Sequence, residues 1–171
     1  AAHSSVGNIV REYQAKYQHI VYKKIENKGI AANTNAAAEL ASGEYLALAD
    51  HDDILAPHAM YTMGRAIRQL REAGEPDGFL YSDEALFTKK IEKPLVAHFK
   101  PDYAPDYLLC CNYICHLAVF RRELFEQVGG ERPECDGSQD HDLFLRLIEQ
   151  VGGAAHVPQV LYYWRVHEGS T

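Results

Sequence analysis

Leu46-Ala47-Leu48-Ala49-Asp50-His51-Asp52-Asp53 is an apolar run that ends abruptly in three carboxylates and an imidazole. Bounded upstream by Gly43-Glu44, the four apolar residues read as a strand buried on both faces, which needs no polar alternation. Carboxylates clustered where such a strand emerges repel one another unless a cation or a proton neutralises them. The carboxyl ends of strands are also where open α/β sheets bind their ligands. One reading of the acids is therefore a divalent metal site. The other is an acidic strand-to-helix loop, with Asp52 or Asp53 serving the helix that Pro57 begins.

Working outward, the alanine-rich segment 30–41 is a strong helix former that Ser42-Gly43 stops, and Asn27-Lys28-Gly29 makes the turn before it. The β-prone run His19-Ile20-Val21-Tyr22 precedes that turn, so 19–49 reads as a strand, helix, strand unit of the right-handed parallel kind. Ile9, Val10, Tyr13 and Tyr17 recur at helical spacing ahead of it. Downstream, Met60, Met63, Ile67 and Leu70 mark an amphipathic helix from Pro57 to Gly74. Phe79-Leu80-Tyr81 reads as a strand ending in the acids Ser82-Asp83-Glu84 introduce, and 89–105, with three prolines, as a long loop of the kind that carries function. A short helix at 105–110, a strand at 116–120 and a helix at 121–128 stopped by Gly129-Gly130 follow, with strands at 154–157 and 160–166 near the end.

At 171 residues, 47% hydrophobic and 24% charged, the chain has the size and balance of one globular domain. The net charge of −7 argues against nucleic acid and other polyanions as partners, although Lys23, Lys24 and Lys28 form a local basic patch. Cys110, Cys111, Cys115 and Cys135 lack the paired spacing of a zinc site and read as reduced, mostly buried thiols of a cytosolic protein. Ala1-Ala2-His3-Ser4-Ser5 has no initiator Met, basic region or apolar core of a signal peptide, and the chain reads as a piece of something longer.

Asp136-Gly137-Ser138-Gln139-Asp140-His141-Asp142-Leu143 is a second acidic constellation. Ser138 is the expected N-cap of a helix whose apolar face is Leu143, Phe144, Leu147 and Ile148, which sets Asp140 and Asp142 in its first turn. Asp142 reads as complementing the helix dipole. Asp50, Asp52 and His167 together would make two carboxylates and an imidazole, a donor set suited to Mn²⁺ or Mg²⁺ and tilted by its nitrogen towards Mn²⁺.

The stretch GIAANTNAAAELASGEYLALADHDD at 29–53 resembles the core of bacterial family-2 glycosyltransferases of the GT-A fold. The resemblance continues in order through YSDEA at 81–85, HFKPDYAPDYLLCCNYICHLAVFRRELFEQVGG at 98–130, GSQDHDLFLRL at 137–147 and VPQVLYYWRVHEGST at 157–171. It is closest in kind to enzymes that build O-antigen, rhamnan and other surface polysaccharides. The resemblance implies an α/β fold, a truncated GT-A (nucleotide-diphospho-sugar transferase, Rossmann-like) sheet that is mostly parallel with helices on both faces. Residues 1–171 would then be a single domain, the C-terminal two-thirds of a GT-A domain. It implies that Asp52 holds the metal bridging the donor diphosphate, with Asp50 at the ribose or metal and His167 as third contact. Asn35 and Asp83 would join them in binding the donor, Asp140 would be the catalytic base, and Asn112, His116 and Gln139 would approach donor sugar and acceptor. Tyr113 lies in the same stretch and reads equally as core. The implied partners are a nucleotide-diphospho-sugar donor and a glycan or lipid-linked acceptor, in the cytoplasm at the inner face of the membrane.

Two departures qualify this expectation. The family often has Glu-Asp where this chain has Gln139-Asp140, which leaves the base and removes its acidic neighbour. The family's first strand, helix and second strand, which grip the nucleotide base, are not recognisable ahead of 1–5. Weak donor binding, and a homodimer across the exposed sheet edge, are therefore expected. The competing function is a non-catalytic module that binds glycan or a protein partner. A phosphoryl-transfer enzyme is a weaker third, since no partner Lys and Ser/Thr for an aspartyl nucleophile appear in order.

Overall fold

The computed structural model describes residues 5–167. Residues 1–4, and 168–171 of the closing motif, fall outside it. Helix α1 (Ser5–Lys16) is followed by extended chain and then α2 (Ile30–Ala38). The strand expected at 19–22 does not form, because no described strand lies beside it to share a ladder, and Val21 and Tyr22 stay exposed. The N-terminus of α2 is closed from far along the chain: Asp136 accepts the N–H groups of Ile30 at 3.3 Å and Ala31 at 2.9 Å. Gly29, at φ 106°, leaves the space that Asp136 occupies.

Strands β1 (Tyr45–Ala47) and β2 (Ile54–Leu55) flank the acidic loop, α3 (Ala59–Ala73) follows, and β3 (Phe79–Phe87) is the central strand. Then come β4 (Val96–His98), α4 (Pro105–Cys110), β5 (Ala118–Arg121), α5 (Arg122–Gln127), α6 (Gln139–Val151) and β6 (Ala155–Arg165). The sheet order is β1-β5-β3-β6-β2, with β4 on β3. Among the described residues only β3 and β6 pair in parallel, so the mostly parallel arrangement is not what the sheet adopts. The reason is β5. It returns from the long 88–117 segment and wedges between β1 and β3, antiparallel to both. β1 and β3 still run the same way, as their α3 crossover demands, but they are no longer neighbours.

Helices cover both faces, as expected. Period-two alternation sends Phe79, Tyr81, Ala118 and Phe120 to one side, where Phe144, Leu147 and Ile148 of α6 pack. It sends Leu80 and Val119 to the other, against Ala59 and Met63 of α3. The Phe79 ring meets Phe144 edge-on at 5.3 Å and stacks on Phe120 at 5.9 Å. Gly74 and Gly152 end α3 and α6 in the left-handed conformation that spares a Cβ clash.

Two further expectations are corrected. Ser82-Asp83-Glu84 is not a strand end: β3 runs through it to Phe87, and all three side chains are buried. The cysteines are free thiols, but Cys110 and Cys111 are exposed and the other two only half-buried, because α4 turns its cysteine end to the surface.

Candidate active site

The Asp50–Asp53 loop is pinned to β6 by its own acids. The Asp50 N–H donates to the Tyr162 hydroxyl at 2.9 Å, and that hydroxyl donates to Asp53 at 2.7 Å. The other Asp53 oxygen accepts the Arg165 N–H at 2.7 Å, and the Arg165 guanidinium donates to the Asp52 carbonyl at 2.7 Å. The Asp53 N–H also donates to the Asp50 carbonyl, at 3.3 Å, closing a turn over residues 50–53.

This turn decides which acids meet. Asp50, Asp53 and His116 each bring a ligand atom within 4.8 Å of the other two. His116 lies 3.7 Å from Asp50, stacked on Tyr162 at 4.6 Å and edge-on to Trp164 at 5.7 Å. Asp52 instead meets His167, Nε2 to carboxylate at 2.9 Å, and that hydrogen bond lowers the Asp52 carboxyl below its ordinary range. The expected trio of Asp50, Asp52 and His167 is thus divided between two adjacent groups. Asp53, read from the sequence as loop shape, joins the first. Two carboxylate oxygens and one imidazole nitrogen fit a divalent cation of the Mn²⁺ or Mg²⁺ type.

Asp50 and His116 border a cavity of about 520 Å³ whose far wall carries Asp140, Gln139 and Glu131. Asn112 donates to Asp140 at 2.8 Å, leaving the carboxylate fixed in the first turn of α6 and open to the cavity. Gln139 faces the cavity while accepting the Gly137 N–H at 2.7 Å. Tyr113 is core: it stacks on Tyr107 at 5.0 Å and its hydroxyl accepts the Ala104 N–H.

Two residues expected to contact the donor are engaged within the scaffold. Asp83 is buried and accepts the Lys100 N–H at 2.9 Å, with His156 also at 2.9 Å. Asn35 has both ends of its amide taken by the Glu131 backbone, at 2.8 Å each, and so stands behind the cavity wall.

The sequence reading missed Lys100, Glu84 and Glu131. The Lys100 ammonium is 3% exposed; it sits 3.2 Å from Glu84 and donates to the carbonyls of Ile114, at 2.5 Å, and His116. Glu84 in turn accepts the His116 N–H at 3.2 Å. Burial pushes the ammonium below its ordinary value while the Glu84 charge opposes the shift. This buried pair fixes the backbone on which the His116 ring stands. The signal in the sequence was a lysine between two prolines' worth of loop, at Phe99-Lys100-Pro101, with its partner sixteen residues earlier.

The mixed sheet, with helices on both faces and a cleft beside the acidic loop, has the fold of GT-A type glycosyltransferases. Solved structures share it. The chain superposes on Staphylococcus aureus TarS 1-349 in complex with UDP-GlcNAc with a TM-score of 0.72 at 15% identity, covering 99% of this chain and 48% of that one. It superposes on the mannosyltransferase PcManGT of Pyrobaculum calidifontis in complex with GDP-Man and Mn²⁺ with a TM-score of 0.66 at 20% identity, covering 99% and 47%. The description Glycosyl transferase family 2 matches residues 4–129, and the chain belongs to that family. The O-antigen biosynthesis protein RfbC of Myxococcus xanthus is 33% identical over 166 residues, 96% of this chain and 12% of that protein. The chain spans only 12% to 18% of the length of two curated relatives it matches.

Proposed function

We propose that the chain transfers a sugar from a nucleotide-diphospho-sugar to a glycan or lipid-linked acceptor in the synthesis of a surface polysaccharide, with inversion at the anomeric carbon. The observation that carries this reading is that Asp140, Asp50 and His116 line one and the same cavity. Asp140, oriented by Asn112, takes the proton of an acceptor hydroxyl as that oxygen attacks the anomeric carbon in line; the nucleoside diphosphate departs from the opposite side. Asp50, Asp53 and His116 would hold a divalent cation, which when bound supplies charge stabilisation to the leaving diphosphate. The Asp52–His167 pair fixes the outer side of the same loop. TarS and PcManGT, solved with UDP-GlcNAc and with GDP-Man, support a nucleotide-sugar donor.

The chain is read as one domain, the larger part of a GT-A domain, working in the cytoplasm at the inner face of the membrane; among the described residues no helix is long and apolar enough to cross it. A second copy is the partner read for the free edge of the sheet at β1. The competing reading, a glycan-binding module without catalysis, draws on Gln139 in place of an acid.

The test is nucleotide-sugar turnover with Mn²⁺, followed as release of nucleoside diphosphate. Asp140→Asn should lower turnover by about 10²- to 10⁴-fold while leaving donor affinity intact. Release unaffected by that change refutes the base, and no release from the unaltered chain favours the binding module.

A further inference from the structure

Glu131 follows the Gly129-Gly130 helix stop and is 3% exposed, yet one of its carboxylate oxygens, Oε2, has no hydrogen-bond partner among the described residues. A buried acceptor left unmatched costs about 1 to 3 kcal/mol, more when charged, so such a group calls for an account. It is held deliberately in place. Both backbone groups of Glu131 are clamped by the Asn35 amide, and Gly130, at φ 71°, lets the chain pass so close to Asn35 that a Cβ there would collide with it. The side chain lines the same cavity as Asp140 and Asp50.

We propose that Glu131 recognises the donor sugar, its free carboxyl oxygen hydrogen-bonding a hydroxyl of the ring bound in this cavity. The assignment rests on the transferase reading above. The lining also includes the apolar Ala37, Ala38, Leu48 and Phe144, which give a ring surface to lie against but nothing to orient it. Both Asp140 oxygens already accept a hydrogen bond, from Asn112 and from the His141 N–H, and Asp50 faces His116. Of the three carboxyls that line the cavity Glu131 alone is buried; Asp140 is half-buried and Asp50 exposed. Burial pushes its carboxyl up to about 7, a shift to which Asp140, Asp136 and Asp50 add and which the Thr34 hydroxyl opposes. Near neutrality it can therefore donate as well as accept, matching a hydroxyl that does both.

The role separates from a structural one because Oε2 makes no hydrogen bond within the described residues, so what the carboxyl gives the fold passes through its Thr34 contact. Glu131→Leu removes the hydrogen bond and Glu131→Gln keeps donor and acceptor in the same shape. The full chain and both variants would be titrated with UDP, UDP-GlcNAc, GDP and GDP-mannose, with NMR shifts as the readout so that millimolar affinities are resolved. The expected result is that Glu131→Leu still folds, at a stability cost no larger than the lost Thr34 hydrogen bond, and matches the unaltered chain in binding UDP and GDP. It loses about tenfold or more for whichever nucleotide sugar the unaltered chain prefers, and Glu131→Gln restores most of that loss. Equal losses for nucleoside diphosphate and nucleotide sugar, or no loss in either variant, overturn the assignment and leave the transferase reading standing. If Glu131→Leu does not fold, Glu131→Gln decides alone by the pH dependence of sugar-nucleotide binding, which it should flatten around pH 7. An unaltered chain that binds none of the four nucleotides overturns the transferase reading and this assignment together.

Discussion

The Tyr162 hydroxyl accepts the Asp50 N–H and donates to Asp53, so one buried oxygen sets the angle between the two carboxylates of the candidate cation group. Tyr162→Phe keeps the ring beneath His116 and deletes only that oxygen. It should cost about 1 to 3 kcal/mol in denaturant unfolding and weaken Mn²⁺ binding roughly 10-fold or more, read by titration of the metal alone. Unchanged Mn²⁺ affinity would mean that the loop geometry does not govern the ion. At this scale the sequence was informative about residue types and uninformative about partners. Asp50 and Asp140 were legible because each sits at the end of a strongly patterned strand or the start of a patterned helix. Asp53, Lys100 and Glu131 were not, since what brings them to the candidate site is a contact with β6, with β3 or with a cavity, none of which leaves a trace in local pattern.

Asp77 ties three elements together. It accepts Arg121 of β5 through both oxygens at 2.8 Å, Arg71 of α3 at 2.5 Å and the Tyr45 hydroxyl of β1 at 2.7 Å. Burial alone would raise its carboxyl, but the hydrogen bonds from Arg71, Tyr45 and Arg121 outweigh it and hold the group at about 2 against an ordinary 3.8. The stabilisation is present in full above about pH 4 and is lost as the pH falls towards 2, where the folded-state carboxyl also protonates. Asp77→Asn should therefore lower stability by about 2 kcal/mol at pH 7, with a difference from the unaltered chain that shrinks to little in acid titrations below pH 2. A pH-independent difference would assign the loss to packing. Similarly, Asp136→Ala should uncap α2 and cost about 1 kcal/mol in thermal unfolding. Helices α3 and α6 were readable from apolar spacing and their terminal glycines, whereas α2 ends three residues early and the 19–22 strand fails, because pairing depends on neighbours that local pattern does not specify.

Over the whole molecule, the ordered acidic stretches made the fold class legible, while the strand order did not follow from them. β5 belongs between β1 and β3 only because a long, proline-bearing segment lets it return there, and loop closure over that distance has no sequence signature. The same scale governs association. Val6, Ile9, Tyr13 and Tyr17 form an exposed apolar stripe along and just beyond α1. This stripe is a second candidate contact surface in addition to the β1 edge, and sedimentation should find dimers; dispersal by Ile9→Lys with Tyr13→Lys assigns the contact to the stripe, persistence assigns it to β1, and a monomer at all concentrations refutes both. Asp50 and Asp53 leave the ribosome more than a hundred residues before the Tyr162 and Arg165 that fasten them, so translation order leaves the acidic loop untethered until β6 emerges. A nascent chain stalled before β6 should be cut by protease at that loop, and one extended beyond it should resist, which makes the pairing of β6 the event that fixes the loop.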